Sequence, residues 1–331
     1  MRRALAERPH AVRVGIALGL VYVVWGSTYL AIKVAVETLP PLSSAGIRFM
    51  IAGAALYAFM IRRTPPEERP TRAQWRSAAI VGGALLVGGN GGVVLSESWG
   101  TPSGIAALLV GTVPLWLALL SFVFLRDRLS VLSTVGILTG FAGVAVLARP
   151  SGQFAWSGSV VIIGAALAWS AGSLYARSAP LPKSPLLATS LEMLAGGALQ
   201  VVAGAAMGEM GEWDFGAISG RSLVALVYLI VVGALVGFTS YIYVLSNAPT
   251  SVAGTYAYVN PVIAVVLGAV ILNETITTHD AIAGAIIVAS VALIVTGARG
   301  RAGPAPEPAT LSTPEPSSED SPSVEGGIRS P

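Results

Sequence analysis

The chain of 331 residues is 54% hydrophobic and only 11% charged, with a formal net charge of +3. Soluble domains carry about 25% charged residues, so this chain has too few charges to fold as an ordinary soluble protein. It contains no cysteine and only two histidines, which excludes disulfides, thiolate chemistry and a histidine metal site, and no cofactor is expected. Its basic residues are spread over short segments rather than gathered in one patch, so nucleic acid is not an expected partner.

Ten apolar stretches follow one another between Val12 and Thr296. Each has roughly 18 to 22 residues, which is enough to cross a hydrocarbon core of about 30 Å as an α-helix. The sequence therefore predicts an all-α membrane protein with ten transmembrane helices. The predicted spans are 13–32, 43–61, 77–96, 103–125, 130–148, 157–176, 186–208, 222–244, 251–272 and 280–297.

The distribution of positive charge predicts the orientation of these spans. If the N-terminus is cytoplasmic, the segments on the opposite side hold only Lys33, Arg149 and Arg221, and nearly all other basic residues face the cytoplasm. We therefore expect a multi-pass protein of the cell inner (cytoplasmic) membrane with both termini cytoplasmic. Residues 1–12 would form a short cytoplasmic N-terminus. The Pro-, Ser- and Glu-rich residues 303–331 would form a disordered cytoplasmic tail.

The second half of the chain repeats the first. Matched pairs at offsets of 144 to 147 residues are Trp25 with Trp169, Arg48 with Glu192, and Pro114 with Pro261. This periodicity predicts two five-helix repeats, 13–148 and 157–297. Because five is odd, the second repeat enters the membrane from the opposite side, which makes the two repeats inverted (5+5). Inverted repeats are typical of secondary transporters, whose substrate binds near mid-membrane between the halves.

Several motifs within these repeats carry a resemblance to a known family. They are Trp25-Gly26-Ser27-Thr28-Tyr29, the run from Pro41 to Phe49, the stretch from Ser96 to Pro114, and Asn260-Pro261 followed by Asn273-Glu274. The chain resembles the EamA family of the drug/metabolite transporter superfamily over about residues 12–297. The stretch from Ser96 to Pro114 is similar to a bacterial subfamily of drug/metabolite or amino-acid exporters. One departure is Arg126-Asp127, where the family usually has Gly-Glu.

Pro114 and Pro261 are candidate helix breaks at matched positions of the two repeats. A proline inside a helix cannot bond the carbonyl four residues earlier, here that of Val110 or Ala257, and it kinks the helix. Interrupted helices at corresponding positions indicate a binding region. A kink that serves packing alone remains the alternative.

Three charged residues are candidates for gating or coupling. Arg48 is the only basic residue placed within a span, where a charge needs a partner or a function. Its repeat mate Glu192 lies at a similar depth from the opposite face, so the two should not pair. Glu97 ends the third span and is the first candidate for proton coupling. For each, a structural anchor or a solvated surface charge is the alternative.

Candidate substrate-binding residues are polar or aromatic side chains at span depth. The polar ones are Asn90, within Gly88-Gly89-Asn90-Gly91-Gly92, and Asn260 beside Pro261. The aromatic ones are Trp25, Trp116, Trp169, Tyr241 and Tyr258. Aromatic rings in a cavity would bind apolar or aromatic solutes. Packing between helices is the alternative for each of them.

Together these features predict a secondary active transporter that exports small metabolites, such as amino acids or amphipathic compounds, by alternating access. The expected partners are a small-molecule substrate and membrane lipid, and the protein is expected to be a monomer or a homodimer. Coupling to protons, coupling to the membrane potential and simple facilitated efflux are all open. A Walker A motif and the constellations of an intramembrane enzyme are missing from the sequence. An importer of small metabolites, or a channel or lipid scramblase, are the alternatives.

Overall fold

The described part of the chain is helical throughout its regular structure. The computed structural model describes residues 2–126, 129–147, 156–248, 252 and 255–299, and no strand occurs among them. The predicted tail 303–331 lies outside the described residues. The same holds for Asp127, Arg149 and Thr250. The all-α fold expected from the hydropathy pattern is therefore confirmed for the described part.

Ten helices of at least 16 residues make up the described fold. They are α1 Arg2–Ala35, α2 Pro41–Ile61, α3 Arg72–Ser98, α4 Ser103–Leu125, α5 Val131–Leu147, α6 Trp156–Ala176, α7 Pro185–Ala206, α8 Gly220–Asn247, α9 Tyr256–Ile271 and α10 Thr278–Arg299. Eight of them are long and apolar enough to cross a membrane, whereas α5 and α9 are shorter apolar helices. The structure thus supports many spanning helices, and the full set of ten spans remains a prediction.

The helix ends follow local sequence signals. Pro41 and Pro185 start α2 and α7, where the missing N–H costs nothing. At the start of α3, Thr71 and Gln74 form a reciprocal capping box, so this helix begins five residues before the predicted span. Helix α1 also begins earlier than predicted, at Arg2, because the Arg-, Ala- and Glu-rich N-terminal residues favour helix.

Two helices widen in the middle and one is interrupted. π-Helical turns occupy Gly83–Asn90 in α3 and Leu229–Val236 in α8, which are matched positions of the predicted repeats. In α4, Gly111 and Thr112 separate two helical segments, and Pro114 lies in the first turn of the second one. Such irregular turns are frequent at functional sites. All three contribute residues to the wall of the central cavity described below.

The helices of the two predicted repeats pack in a reciprocal pattern. Helix α1 packs against α8 and α9, and its repeat mate α6 packs against α3 and α4. The mates α2 and α7 pack against each other, as do α5 and α10. The first helix of each half therefore packs against the third and fourth helices of the other half. This exchange of partners is what a two-fold relation between the halves would produce.

Helices α3 and α7 approach each other at backbone distance. A Cβ atom added to Gly82 would lie 2.4 Å from the carbonyl oxygen of Glu192, and one added to Gly196 would lie 2.6 Å from that of Gly82. Small residues at such crossings allow helices to pack closely in membranes. No larger residue fits here unless the helices move apart.

Two carboxylates fix the ends of other helices from connecting segments. Glu274, after α9, accepts hydrogen bonds from the Ser103 N–H (2.8 Å), the Ser103 hydroxyl (2.9 Å) and the Gly104 N–H (3.2 Å) at the start of α4. Glu209, after α7, accepts from the N–H groups of Leu42 (2.9 Å) and Ser43 (2.7 Å) at the start of α2. Both caps join connectors that the charge pattern predicts on the same, outer face.

Candidate functional site

A cavity opens in the centre of the bundle, between helices of both halves of the chain. Helices α1, α2, α3, α4, α6, α8 and α9 contribute to its wall. It encloses about 1070 Å³ free of protein atoms, including open space at its mouth. Small-molecule sites are typically concave and mostly apolar, with a few polar groups. The cavity has the central position and the mostly apolar lining of such a site.

More than half of the residues predicted for function line this cavity. They are Trp25, Arg48, Asn90, Pro114, Trp169, Asn260 and Pro261. Residues from both halves of the chain are represented, including the matched pairs of tryptophans and prolines. The structure thus brings together side chains that lie up to 236 positions apart in the sequence, from Trp25 to Pro261. Their roles remain predictions.

Arg48 and Asn90 meet at the cavity wall. The Arg48 guanidinium donates from Nη2 to the Asn90 side-chain oxygen at 3.0 Å, and its central carbon lies 4.5 Å from the centre of the Phe49 ring. Arg48 is buried, with 5% of its surface exposed. Glu192, its repeat mate, lies on α7 beside Gly82 and does not line the cavity. No ion pair joins Glu192 to Arg48 among the described residues.

An aromatic cluster closes one end of the cavity. The Trp25 ring lies 5.3 Å from Phe238, 4.9 Å from Tyr241 and 5.1 Å from Tyr256, measured between ring centres. Next to this cluster, the hydroxyls of Tyr22 and Thr255 are hydrogen-bonded to each other. Tyr241 therefore lies behind the cavity wall, in contact with Trp25 and Tyr256, which both line it.

Trp169 is held against a glycine of the π-helical turn in α3. A Cβ atom added to Gly89 would lie 2.7 Å from the six-membered ring of Trp169. Any side chain at this position would therefore displace the ring from the cavity wall. The glycine-rich stretch around Asn90 serves this close approach, and at the same time Asn90 itself faces Arg48.

The two matched prolines differ in their local structure. The chain is interrupted at Gly111 and Thr112 just before Pro114, whereas α9 continues through Pro261. Pro261 lies close to the start of α9, and the helix continues for ten residues beyond it. Beside it, the Asn260 amide nitrogen lies 3.3 Å from the carbonyl oxygens of Tyr22 and Tyr256 in the orientation that satisfies both.

Two predicted aromatic residues lie away from the cavity. Trp116 packs edge-on against Phe141, with ring centres 5.1 Å apart, and its buried indole N–H has no hydrogen-bond partner among the described residues. Tyr258 packs against the cluster that contains Leu115 and Val291. Both contribute to packing between helices, which was the alternative expected for them.

Glu97 lies outside the cavity wall and is almost fully buried. It is 1% exposed, and neither of its carboxylate oxygens has a hydrogen-bond partner among the described residues. The Lys33 ammonium donates to the backbone carbonyls of Glu97 (2.7 Å) and Thr101 (3.2 Å). The carboxylate is close enough to Lys33 and Arg48 to interact with both charges. Glu97 is therefore not the solvated end-of-helix carboxylate that the sequence allowed.

Four further aromatic side chains line the cavity and were not among the predicted site residues. They are Tyr29, Phe49, Phe238 and Tyr256. Tyr29 follows Trp25 by one helical turn, a spacing that places both on the same face. Phe49 adjoins Arg48. No comparable signal marks Phe238 or Tyr256 in the sequence.

A second cavity lies between α4, α9 and α10. It is largely apolar and encloses about 1250 Å³, open space at its mouth included. Pro261 is the only lining residue that it shares with the central cavity.

Among the described residues, no group of three His, Asp or Glu side chains could hold a metal ion.

Many apolar helices long enough to cross a membrane, arranged around a central cavity with few polar groups, define a polytopic membrane protein of the transporter class. The EamA-like transporter family matches the chain twice, at residues 13–149 and 156–296. The chain belongs to this family. The resemblance read from the sequence motifs is confirmed, and the two matched regions correspond closely to the two predicted repeats.

Relatives across bacteria carry transporter names. The chain is 37% identical to the uncharacterized inner membrane transporter YedA of Escherichia coli K12, over 85% of this chain and 90% of the relative. It is 27% identical to a probable amino-acid metabolite efflux pump of Salmonella typhimurium, over 85% and 94%. A solved crystal structure shares the fold, with a TM-score of 0.59 at 23% identity, covering 88% of this chain and 99% of the other. The family and these relatives are transporters rather than enzymes.

Proposed function

We propose that the protein is a secondary active transporter that exports small metabolites across the inner membrane by alternating access. The observation that carries this proposal is the central cavity, whose wall combines residues of both family domains. A site at this position can face either side of the membrane when the two halves rock against each other.

The two family domains, in this proposal, are inverted five-helix repeats with both termini cytoplasmic. The reciprocal packing of α1 with α8 and α9, and of α6 with α3 and α4, supports this relation. The caps formed by Glu209 and Glu274 support it as well, because each joins connectors expected on the same face. The interruption in α4 and the π-helical turns in α3 and α8 are the places where these helices can bend.

Glu97 is the residue proposed to couple transport to protons. Burying a charged carboxylate without a partner costs far more than burying its neutral form, so a group in this setting can gain and lose a proton as its surroundings change. Its proximity to Lys33 and Arg48 supplies such a change, because Arg48 lines the cavity in which the substrate would bind.

Export is proposed over import because of the resemblance to exporter sequences and the name of the Salmonella relative. The substrates proposed are amino acids or amphipathic compounds, which suit a cavity walled mainly by apolar and aromatic side chains. A channel or a lipid scramblase would pass solutes without alternating access.

Counterflow in proteoliposomes tests the transporter proposal directly. Vesicles are preloaded with one class of unlabelled solute (amino acids, purine bases, sugars or aromatic carboxylates), and the uptake of the labelled solute is followed. A carrier gives transient accumulation above equilibrium for its own class, because the preloaded solute drives the exchange. A channel or scramblase gives equilibration without an overshoot for every class, which would contradict the proposal.

A further inference from the structure

Arg48 is the only charged side chain among the described residues that line the central cavity. The hydrogen bond to Asn90 is neutral on the acceptor side, and the Phe49 ring offers a cation–π contact. The ion pairs found in the described part of the chain involve Glu37 and Asp280, not Arg48. A buried guanidinium therefore faces the cavity, and its nearest opposite charge is that of Glu97, which lies outside the cavity wall and beyond ion-pair distance.

A guanidinium has five N–H donors in a planar fork that matches the two oxygens of a carboxylate. The described residues supply a hydrogen-bond partner for one of these donors, through Asn90. A buried charge is stabilised when it is paired and hydrogen-bonded, and is costly otherwise. A carboxylate that enters the cavity would complete the hydrogen bonding of Arg48 and neutralise its charge.

The cavity offers no matching site for a positive group. Glu97 and Glu192 do not line it, and no other carboxylate among the described residues does. Its polar groups are neutral and partly occupied: the Thr28 hydroxyl donates to the Trp25 carbonyl at 2.7 Å, and the Asn260 amide faces backbone carbonyls. An ammonium group could contact aromatic rings, but it would be repelled by Arg48 in the same cavity.

The rest of the wall is apolar and largely aromatic. Rings that line it are Trp25, Tyr29, Phe49, Trp169, Phe238 and Tyr256. Aromatic side chains bind flat apolar groups by burial and by edge or offset stacking. The cavity therefore presents one cationic anchor and an aromatic enclosure to the same solute.

We propose that the substrate is a monoanionic aryl or branched-alkyl carboxylate. Its carboxylate binds the Arg48 guanidinium, and its apolar group lies among the aromatic rings. The site discriminates against the zwitterionic amino acid with the same side chain, because the α-ammonium group would lose its hydration and gain no opposite charge. This inference rests on the proposed function and narrows its substrate class from amino acids to carboxylates that lack an ammonium group.

Three ligands that share a phenyl ring on a short alkyl chain and differ in their charged groups test this inference: 3-phenylpropanoate, phenylalanine and 2-phenylethylamine. Binding to the purified protein in detergent is measured by displacement of labelled 3-phenylpropanoate, and counterflow is measured in parallel at pH 7.5 with protein-free vesicles as the leak control. We expect 3-phenylpropanoate to bind at least tenfold more tightly than phenylalanine, and 2-phenylethylamine to bind more weakly still. Equal or tighter binding of phenylalanine would overturn the inference and leave the transporter proposal standing.

Variants at Arg48 show whether a ligand binds through its carboxylate or only through its apolar group. Arg48→Gln should weaken the binding of 3-phenylpropanoate by at least tenfold and leave the binding of the neutral analogue 2-phenylethanol unchanged. The affinity of Arg48→Lys for 3-phenylpropanoate should lie between those of the unaltered protein and Arg48→Gln, because lysine keeps the positive charge and loses the planar fork of donors. The matched control is Arg177→Gln, an exposed arginine away from the cavity. If Arg48→Gln does not fold, the three-ligand series on the unaltered protein still decides the matter.

The two proposals fail in different ways. Binding of 3-phenylpropanoate without counterflow of any solute class would remove the transporter proposal and keep an anion site at Arg48. Counterflow of amino acids together with no binding of 3-phenylpropanoate would remove the anion site and keep the transporter.

Discussion

At the scale of single residues, Glu97 combines burial with a missing partner. Its carboxylate is 1% exposed and has no hydrogen-bond partner among the described residues. If it carries the coupling proton, Glu97→Gln should keep counterflow, because exchange needs no net proton movement. The same variant should lose transport against a concentration gradient when a pH gradient is imposed, because an amide cannot release a proton.

Glu37→Gln is the control for this measurement. Glu37 is exposed and forms a loose ion pair with Arg221 at 3.8 Å. Exposed pairs of this kind contribute little, so the control should behave as the unaltered protein does. Gradient-driven transport by Glu97→Gln at the unaltered rate would exclude Glu97 as the coupling residue.

Glu274 has a structural task that can be measured separately. It accepts three hydrogen bonds at the start of α4. Removal of a side chain that caps a helix costs about 0.5–2 kcal/mol, so Glu274→Ala should lower the thermal unfolding temperature in detergent by several degrees. Glu212→Ala, at an exposed position in the connector after α7, serves as the control. An unfolding temperature equal to that of the control would show that the cap contributes nothing.

The sequence could identify residues of the site individually but could not pair them. Arg48 and Asn90 stand out because a charge and an amide are rare at span depth. Their hydrogen bond joins positions 42 residues apart, and no sequence pattern specifies it. Trp116 and Trp169 look alike in the sequence, yet only Trp169 lines the cavity, because a helix surrounded by apolar neighbours carries no signal of which face points inward.

At the scale of helices, hydropathy and length predict which residues form helices. They do not predict where a helix widens or is interrupted. Each predicted span corresponds to one described helix, with ends that differ by five residues or fewer, except that α1 begins eleven residues before its predicted span. The π-helical turns in α3 and α8 were not predicted. The only hint was the glycine-rich stretch near Gly83, and α8 offers no similar hint.

The crossing of α3 and α7 gives a prediction at this scale. Gly82→Ala should strongly reduce the yield and the thermal stability of folded protein, because the added Cβ would lie 2.4 Å from a backbone oxygen. Overpacking of this kind costs about 1–3 kcal/mol. Gly164→Ala on α6 is the matched control, since nothing lies within 4 Å of its added Cβ. It should be neutral or slightly stabilising, because alanine favours helix over glycine by about 0.5–1 kcal/mol.

Both variants are compared by yield and by unfolding temperature in the same detergent. A Gly82→Ala protein as stable as Gly164→Ala would mean that α3 and α7 can separate without cost. The close crossing would then not hold the two halves together.

At the scale of the whole molecule, the two family domains share one cavity. In the proposed inverted arrangement, matched residues such as Trp25 and Trp169 lie on opposite halves of the membrane, and both line this cavity. Rocking about the cavity would open it to one side at a time. This motion can be tested by cysteine labelling, because the chain contains no cysteine of its own that would react.

The most direct test is labelling of a single cysteine in the cavity from each side of the membrane. Ala257→Cys is half-buried and lines the cavity, whereas Ala264→Cys, fully buried on the same helix, does not line it. A membrane-impermeant methanethiosulfonate reagent is applied to intact cells and, separately, to inside-out vesicles. Alternating access predicts labelling of Ala257→Cys in both preparations and of Ala264→Cys in neither. Labelling of Ala257→Cys from one side only, with solute exchange still taking place, would contradict it.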